Sequence, residues 1–317
     1  MRIGRRAVHT VFVLSLPLIV AAFGLSFGSA AMLVIVALLW RWALALTAML
    51  APPEGAELRL ETIGASHFVE KVRWSMDRLG VPYTEEQNVG VLGVLFAGRT
   101  VPKLHIRTGR VISSVGNSPE ILRYLWVRYA TEYGERAAFL EPTTEALALE
   151  RRLDRYGVNI QQWIYHHILP HRALTLHAWG ADDPRLPAWQ RTANDVLFPL
   201  LRIFMRKVFN LGASTHVKVV HHVEEFLGEM EIRLADGRTA LLGGDQIGYV
   251  DITLAALSGL WLMPENYGAG KADATIPRGL ALPPGMKAEM QSWRGRFPHV
   301  VAHIERLYAT ERTARLA

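Results

Sequence analysis

The sequence predicts a small α/β domain followed by an all-α domain, with an N-terminal transmembrane helical hairpin in front of both. Three observations predict this class. Residues 8–50 carry one charge, residues 57–130 alternate short extended segments with helical ones, and beyond Pro142 the apolar residues recur at helical spacing. The predicted parts are therefore a membrane anchor at 1–51, an α/β domain at 57–130 and a helical domain at 140–317.

The apolar N-terminal run is longer than one membrane-crossing helix needs. One such helix takes about 20 apolar residues, and Gly24, Gly28 and Ser29 interrupt the run near its middle. The sequence therefore predicts two helical passes, roughly 9–27 and 30–50, which return the chain to the side where it started.

Arg41 leaves two forms of the second pass open. An arginine at the centre of a spanning helix costs about 2.5 to 3.5 kcal/mol on insertion scales. In the alternative, a shorter re-entrant pass ends at Trp40, Arg41 and Trp42, and residues 43–50 lie along the membrane surface. Both forms predict contact with a lipid bilayer.

The charge around the apolar run predicts its orientation. Arg2, Arg5 and Arg6 place the N-terminus in the cytoplasm, so a hairpin at the inner (cytoplasmic) membrane leaves the soluble domains facing the cytoplasm as well. A cleaved signal peptide is the alternative, with Gly28 and Ala30 as small residues near a cut. The second apolar stretch that follows favours the anchor.

Composition excludes several classes of function. The formal charge is +6, of which the four arginines before the first acid, Glu54, supply +4, so the rest of the chain carries only +2. That near-neutral body lacks the basic patch that nucleic-acid binding requires. The chain has no cysteine, which rules out disulfides, thiolate metal ligands, a cysteine nucleophile and a dithiol redox motif.

The predicted α/β domain begins with a strand and an amphipathic helix. Leu58, Leu60 and Thr62 alternate as a short strand does, and Gly80 stands where a helix C-cap belongs. Apolar residues at helical spacing precede that glycine at positions 68, 72, 76 and 79.

Three further strands and a helix complete the domain. A strand is predicted at Tyr83–Val89, then a hairpin pair at Val101–Ile106 and Arg110–Ser113 around Thr108-Gly109. Ser118 is expected to cap the last helix, with Pro119 as its first residue. This order of elements is that of a thioredoxin-like domain.

Four strings resemble segments of the glutathione S-transferase superfamily. SHFVEKVR at 66–73 resembles the string that opens the first helix in many bacterial members, and TVPKL at 100–104 resembles the segment whose proline is cis. NSPEILRYL at 117–125 and LGGDQIGYVDI at 242–252 resemble two helix-opening segments, the second a capping box of the helical domain. The chain thus resembles a bacterial, membrane-anchored member of this superfamily from about residue 57 to 310.

The resemblance implies a glutathione site. It places the Ser66 hydroxyl against the glutathione sulfur, although a plain helix cap is an equal alternative for this serine. It implies that Val101, before cis Pro102, pairs with the glutathione backbone as an added strand, and that Ser118 binds the γ-glutamyl carboxylate at a helix N-terminus. Asn117 occupies the position of a carboxylate that would bind the γ-glutamyl amine.

Residues of the first long helix are candidates for the second substrate. The resemblance places Trp163, Tyr165, His166 and His167 in a pocket for a hydrophobic electrophile, while core packing is the alternative for aromatic residues at helical spacing. No metal is predicted, because the histidine sets 166/167/171 and 216/221/222 include no acid at an established ligand spacing.

Two functions remain open at this point. The first is an enzyme that conjugates glutathione with, or otherwise uses it on, a small hydrophobic electrophile near the membrane. The alternative is a non-catalytic, membrane-tethered module of the same fold that binds other proteins. The resemblance also implies a homodimer, and no nucleic acid is expected as a partner.

Overall fold

The computed structural model describes residues 24, 26–49, 56–87, 101–108, 111–181, 183–184, 186, 188–273, 275–277 and 279–312. The chain divides into two compact units. One unit takes Met1–Glu57 and Ile106–Ser113, and the other takes Leu58–His105 and Ser114–Ala317. The predicted domain boundaries stay predictions.

The described part of the N-terminal region is one apolar helix, α1, at Phe27–Met49. Gly24 precedes it with φ +80°, and the Ser29 N–H donates to Ser26 Oγ at 3.3 Å in the first turn. The predicted break therefore lies before Phe27, whereas Gly28 and Ser29 are inside the helix, contrary to the prediction. Nearly all of the predicted first pass lies outside the described residues.

The predicted spanning hairpin finds no support in the described residues, since none of their helices combines the length and the hydropathy that a bilayer crossing requires.

A four-stranded sheet forms the α/β part. Its strands are β1 at Glu57–Thr62, β2 at Thr84–Gln87, β3 at Lys103–Thr108 and β4 at Val111–Gly116, in the order β2-β1-β3-β4. β1 and β2 are parallel, with Arg59 opposite Thr84. β3 starts two residues later than predicted because Pro102 has no N–H to donate to a neighbouring strand. β4 runs three residues further than predicted.

Two helices accompany this sheet, which confirms the predicted order of elements. α2 is His67–Leu79, and it ends at Gly80, whose φ of 72° is the left-handed cap that the sequence predicts. α3 is Ser118–Tyr133. Its N-cap is Asn117 and not Ser118, so the predicted cap was wrong by one residue.

The rest of the chain is helical, as predicted. Two separate helices end it, because Pro298 starts a new helix and disfavours helical geometry in Phe297 before it. A 3₁₀ turn at Gly134–Leu140 leads into this part and another lies at Tyr267–Gly270. The helices are α4 Thr144–Ile168, α5 Arg172–Ala178, α6 Ala188–Val208, α7 Ala213–Leu234, α8 Tyr249–Leu262, α9 Pro284–Arg296 and α10 Pro298–Thr310.

α8 is the buried centre of this unit and packs against α2 and α4. The half of a capping box that Asp251 can supply is present at its start, since the Gly248 N–H donates to Asp251 Oδ2 at 2.9 Å, whereas glycine has no side chain for the other half. α4 meets the start of α2 closely at Gly157, where a Cβ atom would lie 2.9 Å from the Phe68 ring. This contact fixes the first turn of α2 against the helical part.

Candidate functional site

The predicted glutathione residues lie at one end of the strands, where β1 ends, β3 starts and β4 ends. This end of the sheet is called its edge below. β3 and β4 follow one another as a hairpin, so the end of β4, which leads into Ser118, lies beside the start of β3 at Val101-Pro102. Lys103 and His105 of β3 both approach Glu61 near the end of β1, at 3.5 and 3.0 Å. The end of β1, which leads into Ser66, is therefore at the same edge.

Ser66 is the N-cap residue of α2, but its hydroxyl does not cap the helix. Its backbone is extended, with φ −66° and ψ 121°, and its carbonyl accepts the Glu70 N–H at 2.9 Å. Its side chain makes no capping hydrogen bond. Ser66 thus caps the helix through its backbone and not through its side chain, and its hydroxyl stands at the positive end of a helix dipole. Its role towards a glutathione sulfur stays a prediction.

His67, next to it, is a buried and neutral side chain. Its Nε2–H donates to the Gly157 carbonyl oxygen at 2.9 Å, across to α4. Burial lowers the pKa of His67 to about 4, against the smaller opposing effect of the Gly157 carbonyl. His67 thus joins the first turn of α2 to α4 as a hydrogen-bond donor without a charge.

The backbone is unusual at the start of β3 and at the start of α3, the other two parts of the predicted site. The Val101–Pro102 peptide is cis, as the resemblance implies. Asn117 adopts φ 68° and ψ 140°, a conformation that residues other than glycine rarely adopt. Its side chain is exposed, and the next residue, Ser118, is buried in the first turn of α3. A neutral amide thus stands where a carboxylate was expected from the family pattern.

The irregular segment from Pro264 to Pro284 packs against the turn before α2. The Tyr267 hydroxyl donates to the Ala65 carbonyl at 3.0 Å. Thr275 is buried over Gly64 so closely that a Cβ there would lie 2.4 Å from Thr275 Oγ1. These two contacts hold the segment against the residues that precede Ser66.

Buried ion pairs join α2 to residues near the end of the chain and in β2. Glu70 accepts from Arg73 Nη1 at 3.1 Å and from Arg312 Nε at 2.7 Å, and all three side chains are fully buried. Arg73 also donates to both carboxylate oxygens of Glu85, at 2.8 and 3.1 Å. Arg312, five residues before the end of the sequence, thus supplies a positive charge to the buried acid of a helix that begins after the candidate serine.

Lys71 forms a second buried network on the other side of α2. Its Nζ donates to Glu150 Oε1 at 3.2 Å and to Asp154 Oδ1 at 3.4 Å, both on α4. Arg123 donates to the other Glu150 oxygen at 2.7 Å. Two residues of the Lys-Val-Arg string that carries the family resemblance, Lys71 and Arg73, therefore anchor α2 through buried ion pairs.

The four candidate electrophile residues of α4 separate into two pairs. Tyr165 and His166 line a cleft of about 210 Å³ between α4 and α6, together with Arg202 and Arg206. They lie eight or nine residues beyond Gly157, which is roughly 12 Å along the helix axis from the contact with α2. This cleft, named here the α4–α6 cleft, is thus displaced from Ser66.

Trp163 and His167 face another part of the fold. Trp163 is fully buried and packs against Trp293 of α9, at 4.9 Å between ring centroids, so its ring belongs to the core. His167 donates from Nε2 to Glu289 Oε2 at 2.9 Å. Their role as pocket residues stays a prediction, and their packing agrees with the alternative that the sequence left open.

Glu289 collects donors from three side chains. The second histidine is His216 of α7, whose Nε2–H donates to Glu289 Oε1 at 2.9 Å, and the third donor is the Trp163 indole N–H. Burial alone would raise the pKa of Glu289, but the hydrogen bonds from His167, His216 and Trp163 hold it well below its usual range. The sequence analysis found no acid at ligand spacing from these histidines, because Glu289 lies 122 and 73 residues away along the chain.

His166 completes the group without touching Glu289. Its ring stacks on that of His216 at 3.8 Å between centroids, nearly parallel. Burial and the neighbouring His216 and His167 lower the pKa of His166 to about 4. Since His166 also lines the α4–α6 cleft, the cleft reaches the group.

Comparisons with known proteins give structural likenesses at low identity. A glutathione S-transferase from Methylobacterium radiotolerans, in complex with glutathione sulfonate, is 18% identical over 81% of this chain and 93% of its own, with a TM-score of 0.47. One from Ceriporiopsis subvermispora, in complex with glutathione, is 15% identical over 82% and 100%, with a TM-score of 0.48. FzlA from C. crescentus is 12% identical over 81% and 89%, with a TM-score of 0.45.

No model of a protein family matches the chain, and no protein of curated function does. A function is therefore inferred from the chain's own geometry.

Proposed function

We propose that this protein is a glutathione S-transferase-like enzyme that uses glutathione as co-substrate on a hydrophobic electrophile near a membrane. One observation carries the proposal. A serine hydroxyl that does not cap its helix, a cis-proline strand start and a buried serine at a helix N-terminus share one edge of the sheet. Each is common alone, but together they form a site for a peptide-like thiol with a carboxylate.

In the proposed reaction, this edge both binds glutathione and activates its sulfur. The Val101 backbone pairs with the cysteine amide of glutathione, as an added strand does. The N–H groups at the start of α3 and Ser118 bind the γ-glutamyl carboxylate. The Ser66 hydroxyl donates to the sulfur, and with the positive end of α2 it favours the thiolate, which attacks the electrophile.

The electrophile in this proposal is elongated and apolar. A molecule that reacts at a sulfur beside Ser66 and also reaches Tyr165 and His166 must extend roughly 12 Å along α4. The contact of α2 with α4 at Gly157 defines where that path starts. Arg202 and Arg206 of the α4–α6 cleft suit a substrate with an anionic far end.

We further propose that residues 1–51 hold the protein at the inner (cytoplasmic) membrane, with the soluble part facing the cytoplasm. The support is the surface of α1, which leaves large apolar side chains exposed around its circumference, a pattern that favours a lipid or protein partner over water. Trp40 and Trp42, both about two-thirds exposed, are residues that membrane interfaces favour. The N-terminal arginines favour the cytoplasmic side.

Glutathione binding is tested by calorimetric titration of glutathione and S-hexylglutathione into the full chain in detergent micelles. The expected result is saturable binding that Ser118→Ala weakens and that Ser114→Ala, at an exposed serine of β4, leaves unchanged. Ser66→Ala is expected to lower turnover of a model electrophile while glutathione still binds. Unchanged turnover in folded Ser66→Ala protein contradicts the proposed role of that hydroxyl.

A second candidate is the non-catalytic module, and Asn117 favours it. Loss of a charge-assisted hydrogen bond to the γ-glutamyl amine costs about 1.5 to 3 kcal/mol, or roughly ten- to over a hundredfold in affinity. Asn117→Glu is expected to restore that factor if the edge is a glutathione site. A folded chain in which neither the natural sequence nor Asn117→Glu binds glutathione supports the module.

The proposed homodimer is tested separately by analytical ultracentrifugation in detergent. The enzyme and the module both accommodate a dimer, so this measurement decides the assembly and not the chemistry.

A further inference from the structure

Three metal-ligand side chains from three helices meet inside the helical part. They are His167 near the end of α4, His216 in the second turn of α7 and Glu289 on α9, and their ligand atoms all lie within 4.8 Å of one another. We propose that these residues form a binding site for one divalent metal ion, with Zn²⁺ the ion they suit best. The site is distinct from the glutathione edge and does not depend on it.

The donor set favours zinc over the common hard cations. Two imidazole nitrogens and one carboxylate are a set that zinc uses when three protein ligands leave the fourth position to water. Mg²⁺ and Ca²⁺ prefer oxygen ligands throughout, so a site in which nitrogen supplies two of three donors disfavours them. With no cysteine in the chain, this is a borderline nitrogen and oxygen site and not a thiolate one.

The present geometry is close to that of a loaded site. Zinc bonds of about 2.0 to 2.1 Å in a tetrahedron put ligand atoms roughly 3.3 Å apart. His167 Nε2 and His216 Nε2 now lie 2.9 Å from the two oxygens of Glu289. An ion therefore needs each histidine nitrogen to move a few tenths of an ångström away from its Glu289 oxygen, within a set whose atoms already lie within 4.8 Å. It replaces the protons that both Nε2 atoms now share with Glu289.

The surroundings hold the ligands as a metal site requires. The Trp163 indole N–H donates to Glu289 Oε2, and a hydrogen bond of this kind orients a ligating carboxylate. Trp163 is itself locked by its packing against Trp293, on the same helix as Glu289. The side chains of His167 and His216 are only 9% and 14% exposed, so their rotamers are restricted by neighbours.

The α4–α6 cleft comes within one side chain of the site. His166 lines that cleft and stacks on the ring of His216 at 3.8 Å between centroids. The group whose ligand atoms meet is His167, His216 and Glu289, so His166 stands beside the site as a neighbour, on the side from which we expect an ion to enter. The bound ion would join α4, α7 and α9. Because it binds the folded state, it stabilises the fold by an amount that grows with the logarithm of one plus the ratio of its concentration to its Kd.

The test uses the full, untagged chain in detergent, stripped of metal by a chelator. After dialysis against ZnCl2, elemental analysis is expected to find one zinc per chain, and the melting temperature is expected to rise with zinc concentration. His167→Ala, His216→Ala and Glu289→Gln are expected to lose both effects. His222→Ala, at an exposed histidine on the same helix as His216, is the matched control and keeps both.

A variant that keeps all three ligands distinguishes weaker metal binding from loss of folding. Trp163→Phe keeps all three ligands but removes the hydrogen bond to Glu289, and a zinc affinity weaker by about 10- to 100-fold is expected. If the ligand variants do not fold, the visible spectrum of Co²⁺ bound to the natural chain decides. A tetrahedral spectrum supports the site.

Three results overturn the proposal. They are the absence of stoichiometric zinc in the natural chain, an equal loss of zinc in His222→Ala and His167→Ala, which indicates binding to exposed histidines, and an octahedral Co²⁺ spectrum.

Discussion

Acidification should destabilise this protein through His67, a residue with no charge in the folded state. In the unfolded chain its imidazole takes a proton near the ordinary pKa of 6.5, while burial against α4 lowers the folded-state pKa to about 4. Between these values the unfolded state binds more protons than the folded one. Stability contributed by neutral His67 is therefore fully present above pH 6.5 and is lost as the pH falls towards 4.

The size of the effect follows from the two pKa values. At pH 7.5 the imidazole is almost wholly neutral in both states, so His67 adds no pH-dependent penalty. At pH 5 the unfolded state is stabilised by protonation by about 2 kcal/mol relative to the folded state, and the loss approaches about 3 kcal/mol below pH 4. This is a large part of the stability of a typical domain.

The assay compares the free energy of unfolding in urea at pH 7.5 and pH 5 for the natural chain and for His67→Gln, both in the same detergent. The glutamine amide can donate to the Gly157 carbonyl in place of Nε2–H but does not titrate. All other groups titrate in both proteins, so their contributions cancel in the difference. We expect the natural chain to lose about 2 kcal/mol more than the variant on going to pH 5.

The reasoning about His67 fails if the two proteins lose the same stability to within about 0.5 kcal/mol, the usual scatter of surface substitutions. A variant that is already unfolded at pH 7.5 would instead show that the glutamine does not replace the hydrogen bond. In that case, NMR titration of the His67 ring in the natural chain measures the pKa directly, and a value near 6.5 refutes the argument.

Two further predictions compare matched residues by urea unfolding. Ser66→Ala should change the free energy of unfolding by less than about 0.5 kcal/mol because its hydroxyl caps nothing, whereas Thr143→Ala, whose hydroxyl accepts the Ala146 N–H at 3.1 Å, should cost about 1 kcal/mol. Equal losses would show that Ser66 is a cap after all. Arg312→Ala should cost about 3 to 5 kcal/mol because it leaves Glu70 buried with one partner fewer, while Arg128→Ala, in an exposed pair, should cost less than about 1 kcal/mol. Similar losses in the free energy of unfolding for the two variants would mean that water solvates Glu70 once Arg312 is removed.

The order of elements in the α/β part was predictable because its signals are local. Alternation at Leu58 and Leu60, the glycine after α2 and the proline at the start of α3 each act within a few residues of backbone. Errors occurred where two local signals compete. Asn117 and Ser118 are both good cap residues, and only the observed backbone angles show that the cap is Asn117.

The candidate glutathione edge was predictable from family strings, but its surroundings were not. Ser66 and cis Pro102 were identified from the sequence. The structure confirms the cis peptide and adds that the serine hydroxyl does not cap. Tyr267 and Thr275 approach the same turn from about 200 residues further along the chain. No periodicity links positions so far apart, so their contact depends on how the helical part folds back.

The sequence by itself determined the secondary structure and the class of each part, because spacing of apolar residues, caps and prolines act on the chain locally. Only the tertiary structure decided which charged and metal-binding groups meet. Glu289 lies 73 residues from His216 and 122 from His167, and Arg312 lies 242 from Glu70. Such groups come together because burying the apolar faces of the helices that carry them also brings polar residues inside, and burial then requires that those residues be paired.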